Sequence, residues 1–226
     1  MEAGTDYPEA IEERYLGLPE STPARLGQFT ANLTADADSP YQTAATIQRW
    51  LQTNKRYSLD VDRPAGDVAT AFVFDMEAGY CTYYATAMVA MLRTQGIPAR
   101  FAVGYLPGDR VGENQWLVRG FDSHAWVEVY FPETGWVRFD PTPAAPRATA
   151  ERDALQTARD TGVENVDTSE SRGPSTPIGA VLNDSDGGVL NESNPGPMGG
   201  VRNSTNRSGS LDPFGGALAP GREDGG

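Results

Sequence analysis

The chain has 226 residues, a formal net charge of −13 and a single cysteine. That acidity argues against a nucleic-acid partner, because phosphate backbones are gripped by clustered lysine and arginine, and one cysteine excludes an internal disulfide. No run is long or apolar enough to span a membrane, and the N-terminus lacks the apolar core of a signal peptide.

Residues 1–22 read as an irregular arm, with Tyr7-Pro8 and Tyr15-Leu16-Gly17-Leu18-Pro19 as apolar anchors between turn residues. Thr22-Pro23 has the form of an N-cap followed by a first-turn proline, which predicts a helix through about Leu33. Ser39-Pro40 repeats the signal. The helix it opens carries Ala44, Ile47, Trp50 and Leu51 as an apolar stripe, better suited to a core than to a site, and ends near Arg56. Residues 58–78 are expected as loop, with Phe72, Val73 and Phe74 packing beneath the next helix. That helix opens at Cys81, lines Ala85, Met88, Val89 and Leu92 on one face, and stops at Gly96 and Pro98. Strands are predicted over 99–106, 115–119, 124–130 and 136–140, with the loop 131–135 closing the last two into a hairpin.

Beyond residue 146 the composition changes. All four tryptophans, all nine tyrosines and seven of the eight phenylalanines precede that point, so residues 147–226 have little apolar surface to offset their ordering entropy. The predicted organisation is an arm at 1–22, a folded domain at 23–146, and a disordered acidic tail or linker at 147–226, rich in Gly, Ser, Asn and Pro, with a weak helix at 148–160. The charge divides as −8 and −5 across residue 146, and Lys55 is the lone lysine. This acidic, lysine-poor balance fits a high-salt source and an ordinary acidic protein alike. Five glycosylation-type triplets, at Asn32, Asn183, Asn191, Asn203 and Asn206, are of the kind an Asn- and Ser-rich tail also produces by chance.

A lone cysteine is as readily a small buried hydrophobe as a nucleophile. Here it opens a helix behind Gly79, where unpaired N–H groups and the helix dipole favour a thiolate. The chain's only histidine, His124, and then Asp140 follow in order. Strand parity tests whether the three can meet. His124 shares a face with Trp126, Glu128 and Tyr130, and Asp140 with Trp136 and Arg138. The two sets fall on one side only if hairpin partners sum to an even number, as when Tyr130 pairs with Trp136 across a five-residue loop. A four-residue loop would separate them. In the required register Cys81 attacks an amide carbonyl, His124 holds the ion pair and protonates the departing amine, and Asp140 orients the histidine. The Cys81 backbone N–H is one candidate oxyanion donor. The sequence does not identify a second donor; Trp50 and Tyr57 are candidates, and packing accounts for both better.

The segments Gly79-Tyr80-Cys81, Leu92-Arg93-Thr94-Gln95-Gly96-Ile97-Pro98-Ala99-Arg100, His124-Ala125-Trp126-Val127-Glu128-Val129-Tyr130 and Gly135-Trp136-Val137-Arg138-Phe139-Asp140-Pro141-Thr142 resemble the transglutaminase-like superfamily. They are most similar to its prokaryotic branch, in which the domain lies outside the cell between membrane spans. The resemblance covers residues 70–142 strongly and the upstream helices loosely. It implies an α+β fold with a papain-like core, the nucleophile helix packed on an antiparallel sheet, and Cys81, His124 and Asp140 as the triad. It also implies acyl transfer at amide bonds through a thioester, as a protein-glutamine transamidase or as a peptidase or amidohydrolase. Expected partners are a protein or peptide amide and, for a transamidase, a primary amine. The location implied is the extracytoplasmic face of a membrane to which missing flanking segments tether the domain. A complete chain would instead be cytoplasmic. No cofactor is expected, and no metal either, since the sequence lacks an Asp-x-Asp-x-Asp-Gly calcium loop. The competing class is an inactive transglutaminase-fold surface module for binding or structure, which predicts a blocked Cys81.

Overall fold

The computed structural model describes residues 4–164, 166 and 167. Helices α1 (Glu9–Tyr15), α2 (Ala24–Leu33) and α3 (Pro40–Asn54) come first, followed by the two-residue strand β1 (Arg56–Tyr57), α4 (Val68–Phe74) and β2 (Ala78–Gly79). Helix α5 (Cys81–Thr94) then leads into β3 (Ala99–Tyr105), β4 (Asp109–Gly112) and β5 (Gln115–Leu117). A 3-10 turn at Gly120–Asp122, β6 (Ser123–Phe131), β7 (Gly135–Phe139) and α6 (Ala144–Asp160) complete the order.

The architecture is α+β, with α5 at its centre. Helices α2, α3 and α4 pack on α5, as do β3 and β6. Tyr83, Tyr84, Ala85 and every residue from Ala87 to Leu92 are buried. A helix apolar on nearly all sides is stable only inside a core, and its alanines let neighbouring backbones approach. It ends as its sequence predicts: Gly96 has φ of 70°. The Gly96 N–H bonds the Arg93 carbonyl at 3.1 Å, and that of Ile97 bonds Leu92 at 3.1 Å. These two bonds form a Schellman cap that satisfies the last carbonyls.

Helix α3 begins at its predicted signal. The Ser39 hydroxyl accepts the Gln42 N–H at 3.3 Å, with Pro40 in the first turn. Ala44, Ile47 and Leu51 are fully buried on its inner face. Helix α2 starts one residue later than expected; Pro23 holds the cap position and no side chain caps it.

Two segments expected as irregular are partly helical. The arm 1–22 contains α1, which buries nothing and therefore carries no apolar stripe to reveal it. Its acidic first turn (Glu9, Glu12) and Arg14 in the last turn match the helix dipole instead. The expected loop 58–78 contains α4, started by the Asp67 carboxylate accepting the Thr70 N–H at 2.7 Å. Ala69 through Val73 are all buried. A short helix buried all round shows an apolar run rather than a period. The boundary drawn at 146/147 falls inside α6, which runs on to Asp160 and takes in the weak helix expected at 148–160. Residues 168–226 lie outside the described residues, and with them the disorder expectation and four of the five glycosylation triplets.

The main sheet is antiparallel and ordered β3-β6-β7, while β4 and β5 form a separate ribbon. Tyr130 pairs with Trp136, the register that parity requires. The turn is made at Glu133 and Gly135, both with positive φ. Ala125, Val127, Val129 and Phe131 face the core with α5. The opposite face is a layer of charged and aromatic groups. Arg100 bonds Glu128 at 2.6 Å and stacks over Trp136 at 4.1 Å, and Arg138 lies over Trp126 at 4.4 Å.

Candidate active site

Cys81 is the first residue of α5, so its N–H belongs to the turn that has no intrahelical acceptors. The chain enters the helix through an extended Tyr80, which offers no side-chain cap. Just before it, β2 pairs in parallel with β1. The Arg56 N–H bonds the Glu77 carbonyl and the Ser58 N–H bonds the Gly79 carbonyl, each at 3.0 Å. This sets Tyr57 level with Gly79, two residues ahead of the thiol. A Cβ on Gly79 would lie 2.7 Å from the Phe72 ring and 3.0 Å from the Tyr83 Cβ, so glycine alone fits. Cys81 is a free cysteine, and the residue is partly exposed.

His124 and Asp140 meet as parity predicts. The His124 Nε2 lies 2.7 Å from the Asp140 Oδ2. The histidine side chain has no exposed surface, and the carboxylate is 35% exposed. His124 Nδ1 is buried with no completed hydrogen bond. Cys81 acts on the ring electrostatically. His124 and Asp140 are thus in hydrogen-bond contact, and Cys81 exerts an electrostatic influence on the imidazole.

The electrostatics follow from that chain. Burial, the largest influence on His124, works against its charged form. The combined pull of Asp140 and Cys81 outweighs it and raises the pKa to about 9. Burial likewise pushes Asp140 up, and its bond to His124, the Thr142 N–H and the Arg138 charge together bring it below the ordinary carboxylate value. The Thr142 N–H reaches Asp140 Oδ1 at 3.2 Å, and Arg138 is 3.4 Å from Oδ2.

Several residues at the site carry no signal that sequence pattern singles out. Gln48 and Gln52, one turn apart on α3, clamp the Asp140 backbone. The Asp140 N–H donates to Gln48 Oε1 at 3.0 Å, and Gln52 Nε2 donates to the Asp140 carbonyl at 2.8 Å. Their i, i+4 spacing beside the apolar stripe of α3 is the only trace they leave. Trp50, a candidate oxyanion donor, is instead a packing residue, its ring 5.0 Å from that of Phe29. Tyr57 stacks on Tyr84 with ring centroids 6.4 Å apart. Burial, and next Cys81, hold its hydroxyl well above the ordinary tyrosine value, so the phenol keeps its proton. Helix α6 packs against β1 and the 3-10 turn ahead of His124, and carries the ion pair Arg147–Glu151. Among the described residues no group of three or more His, Cys, Asp or Glu side chains is arranged to hold a metal ion.

Comparison with known proteins agrees with this arrangement. Residues 27–141 match the model of the transglutaminase-like superfamily. A protein-glutamine gamma-glutamyltransferase of Pseudomonas aeruginosa is 36% identical over 149 residues, covering 61% of this chain and 22% of the relative. YebA of Bacillus subtilis is 35% identical over 141 residues, covering 58% of this chain and 19% of the relative. The chain thus spans about a fifth of the length of these curated relatives. The crystal structure of the periplasmic domain of TgpA from Pseudomonas aeruginosa superimposes with a TM-score of 0.58 at 32% identity, covering 66% of this chain and 54% of that one. The matched region begins in α2, ends one residue past Asp140 and accounts for half of the chain, and on that ground the protein belongs to the transglutaminase-like superfamily.

Proposed function

We propose that this chain is a protein-glutamine transamidase, with Cys81 as nucleophile, His124 as acid and base, and Asp140 as the group that orients the histidine. The observation that carries the reading is the buried His124, bonded to Asp140 at 2.7 Å and under the electrostatic influence of Cys81, a partly exposed residue at a helix start. The Cys81 sulfur attacks a glutamine side-chain carbonyl carbon. His124 gives its proton to the departing nitrogen, which leaves as ammonia, and a thioester remains. The developing oxyanion is met by the Cys81 N–H at the helix end and by the Tyr57 hydroxyl, which keeps its proton and feels the charge of Cys81. Among acceptors of the acyl group, a primary amine is favoured over water by the likeness to a protein-glutamine gamma-glutamyltransferase. The likeness to a periplasmic domain favours an extracytoplasmic setting. A partly exposed Cys81 counts against an inactive surface module.

Mass spectrometry of the protein with a glutamine-containing peptide, with and without a primary amine, tests this. A thioester adduct on Cys81 with release of ammonia is expected, followed by an amine-linked product. Conversion of the peptide to its glutamate form in the presence of amine points to a hydrolase, and an unmodified peptide and protein to an inactive module.

A further inference from the structure

The ion pair on α6 is oddly placed for a device that only stabilises a helix. Arg147 sits near the N-terminus of α6 (Ala144–Asp160), where the positive end of the dipole disfavours a cation. Within the pair the arginine precedes the glutamate by four residues, the weaker of the two orientations. Nor is it a surface pair. Both side chains are 15% exposed, against more than half for Arg25–Asp75 and Arg56–Glu77, and Arg147 Nη1 lies 2.6 Å from Glu151 Oε2. Two charges have been taken out of water on a helix that gains little from them locally.

Their location gives the reason. Helix α6 packs on β1, which holds Tyr57, and on the 3-10 turn that ends at Asp122, two residues before His124. Tyr57 feels Cys81, Glu151 and Arg147 together, and Glu151 feels both Arg147 and His124. We infer that Glu151 is the carboxylate that receives the cationic primary amine of the acyl acceptor, and that Arg147 fills the ammonium's place in the resting chain. This rests on the transamidase reading above and names its second substrate's subsite.

The chemistry balances. An acceptor arrives as an ammonium, displaces the Arg147 guanidinium and gives one proton to Glu151. Burial pushes the Glu151 carboxyl above its ordinary value, against the opposing influence of Arg147 and His124, which suits a group that must take a proton. The neutral amine nitrogen attacks the thioester carbonyl carbon, and the carbon–sulfur bond breaks as the carbon–nitrogen bond forms. The second nitrogen proton passes to His124, which had surrendered its own to ammonia, so sulfur leaves as a thiolate beside an imidazolium. Glu151 then loses its proton to solvent. Water, as competing acceptor, has no charge for Glu151 to hold.

The test compares two acceptors in one enzyme, so that any general loss cancels. The full chain and its Glu151→Gln and Arg147→Gln variants are acylated with a glutamine peptide, and KM is measured for butylamine, a cation at neutral pH, and for hydroxylamine, which is mainly neutral there. Glu151→Gln should raise the KM ratio of butylamine to hydroxylamine about tenfold or more, the worth of one charge-assisted hydrogen bond. Arg147→Gln should lower the same ratio by freeing the carboxylate. A ratio unchanged in Glu151→Gln, in a wild type that releases ammonia and forms the thioester, overturns the assignment and leaves the transamidase reading standing. Should Glu151→Gln fail to fold, Arg147→Gln decides alone, and an unchanged or raised ratio overturns the assignment. A wild type that forms no thioester removes the underlying reading and the subsite with it.

Discussion

His124 stands between two groups that both favour its charged form, and this sets the pH behaviour of the site. Its folded pKa, about 9, lies above the ordinary 6.5. The stabilisation it contributes is therefore complete below about 6.5 and is lost as pH rises towards 9. Asp140 is shifted the other way, below its ordinary 3.8, so its contribution is present above that value and fades as pH falls through the folded one. The melting temperature should decline between pH 6.5 and 9, with a flatter slope in His124→Ala; identical slopes would show that the pairing adds no pH-dependent stability. Turnover depends on the same proton, so its rate should also fall as pH rises through about 9. Asp140→Asn keeps the shape of the site but removes the charge that orients the imidazole. A loss on the order of 10³–10⁴-fold in kcat is expected, as for other orienting carboxylates, measured as ammonia released from a glutamine peptide. A variant within tenfold of wild type would remove Asp140 from the mechanism.

The elements that hold these residues differ in how plainly the sequence announces them. Helix α5 is legible because its start, its apolar positions and its Gly96 stop are all local signals. The β6–β7 register was legible only conditionally: placing His124 and Asp140 on one face requires an even sum, and Tyr130 opposite Trp136 meets it. What stayed hidden is what depends on distant partners. Helix α4 shows no period because every side is covered, and α1 none because none is buried. Gln48 and Gln52 gain their meaning only when the chain brings Asp140 to them 92 and 88 residues later. Replacing both glutamines by leucine leaves the Asp140 N–H and carbonyl without partners, at roughly 1 kcal/mol or more each. The double variant should melt lower and lose kcat with little change in KM, whereas a loss confined to KM would mean the clamp serves binding. Gly79→Ala probes the other side of the site. Its Cβ would press on the Phe72 ring and on Tyr83, while pairing with β1 prevents the backbone from yielding. Overpacking of this kind costs about 1–3 kcal/mol, and it should also slow alkylation of Cys81 by displacing the start of α5.

At the scale of the whole molecule, composition drew an edge that falls inside helix α6, and for a physical reason. Among the described residues the last aromatic is Phe139, and polar helix α6 has Ala158 as its only buried residue. Ions rather than apolar area fasten it. Arg119, with a side chain 7% exposed, bonds Asp109 at 2.6 Å, the Val166 carbonyl at 2.7 Å and Asp167 at 2.9 Å. Asp167 is gripped from the other side by Arg159 through two bonds, at 2.6 and 2.8 Å. Charge networks of this type leave no hydropathy signal, so a boundary read from apolar content misses them. They are also brittle, since removing one partner leaves a buried cation partly unpaired, a change worth up to about 3–5 kcal/mol when no substitute exists. Asp109 and the Val166 carbonyl moderate that figure for Asp167→Ala. Two truncations separate the contributions. Ending the chain after Asp167 removes residues 168–226, which carry Phe214 as their one aromatic residue, and should leave the melting temperature nearly unchanged. Ending it after Pro143 removes α6 and strips Arg119 of two partners. At roughly 2–4 °C per kcal/mol for a domain of this size, the midpoint should fall by 5 °C or more. Equal midpoints for the two truncated chains would mean that α6 lies on the domain without holding it.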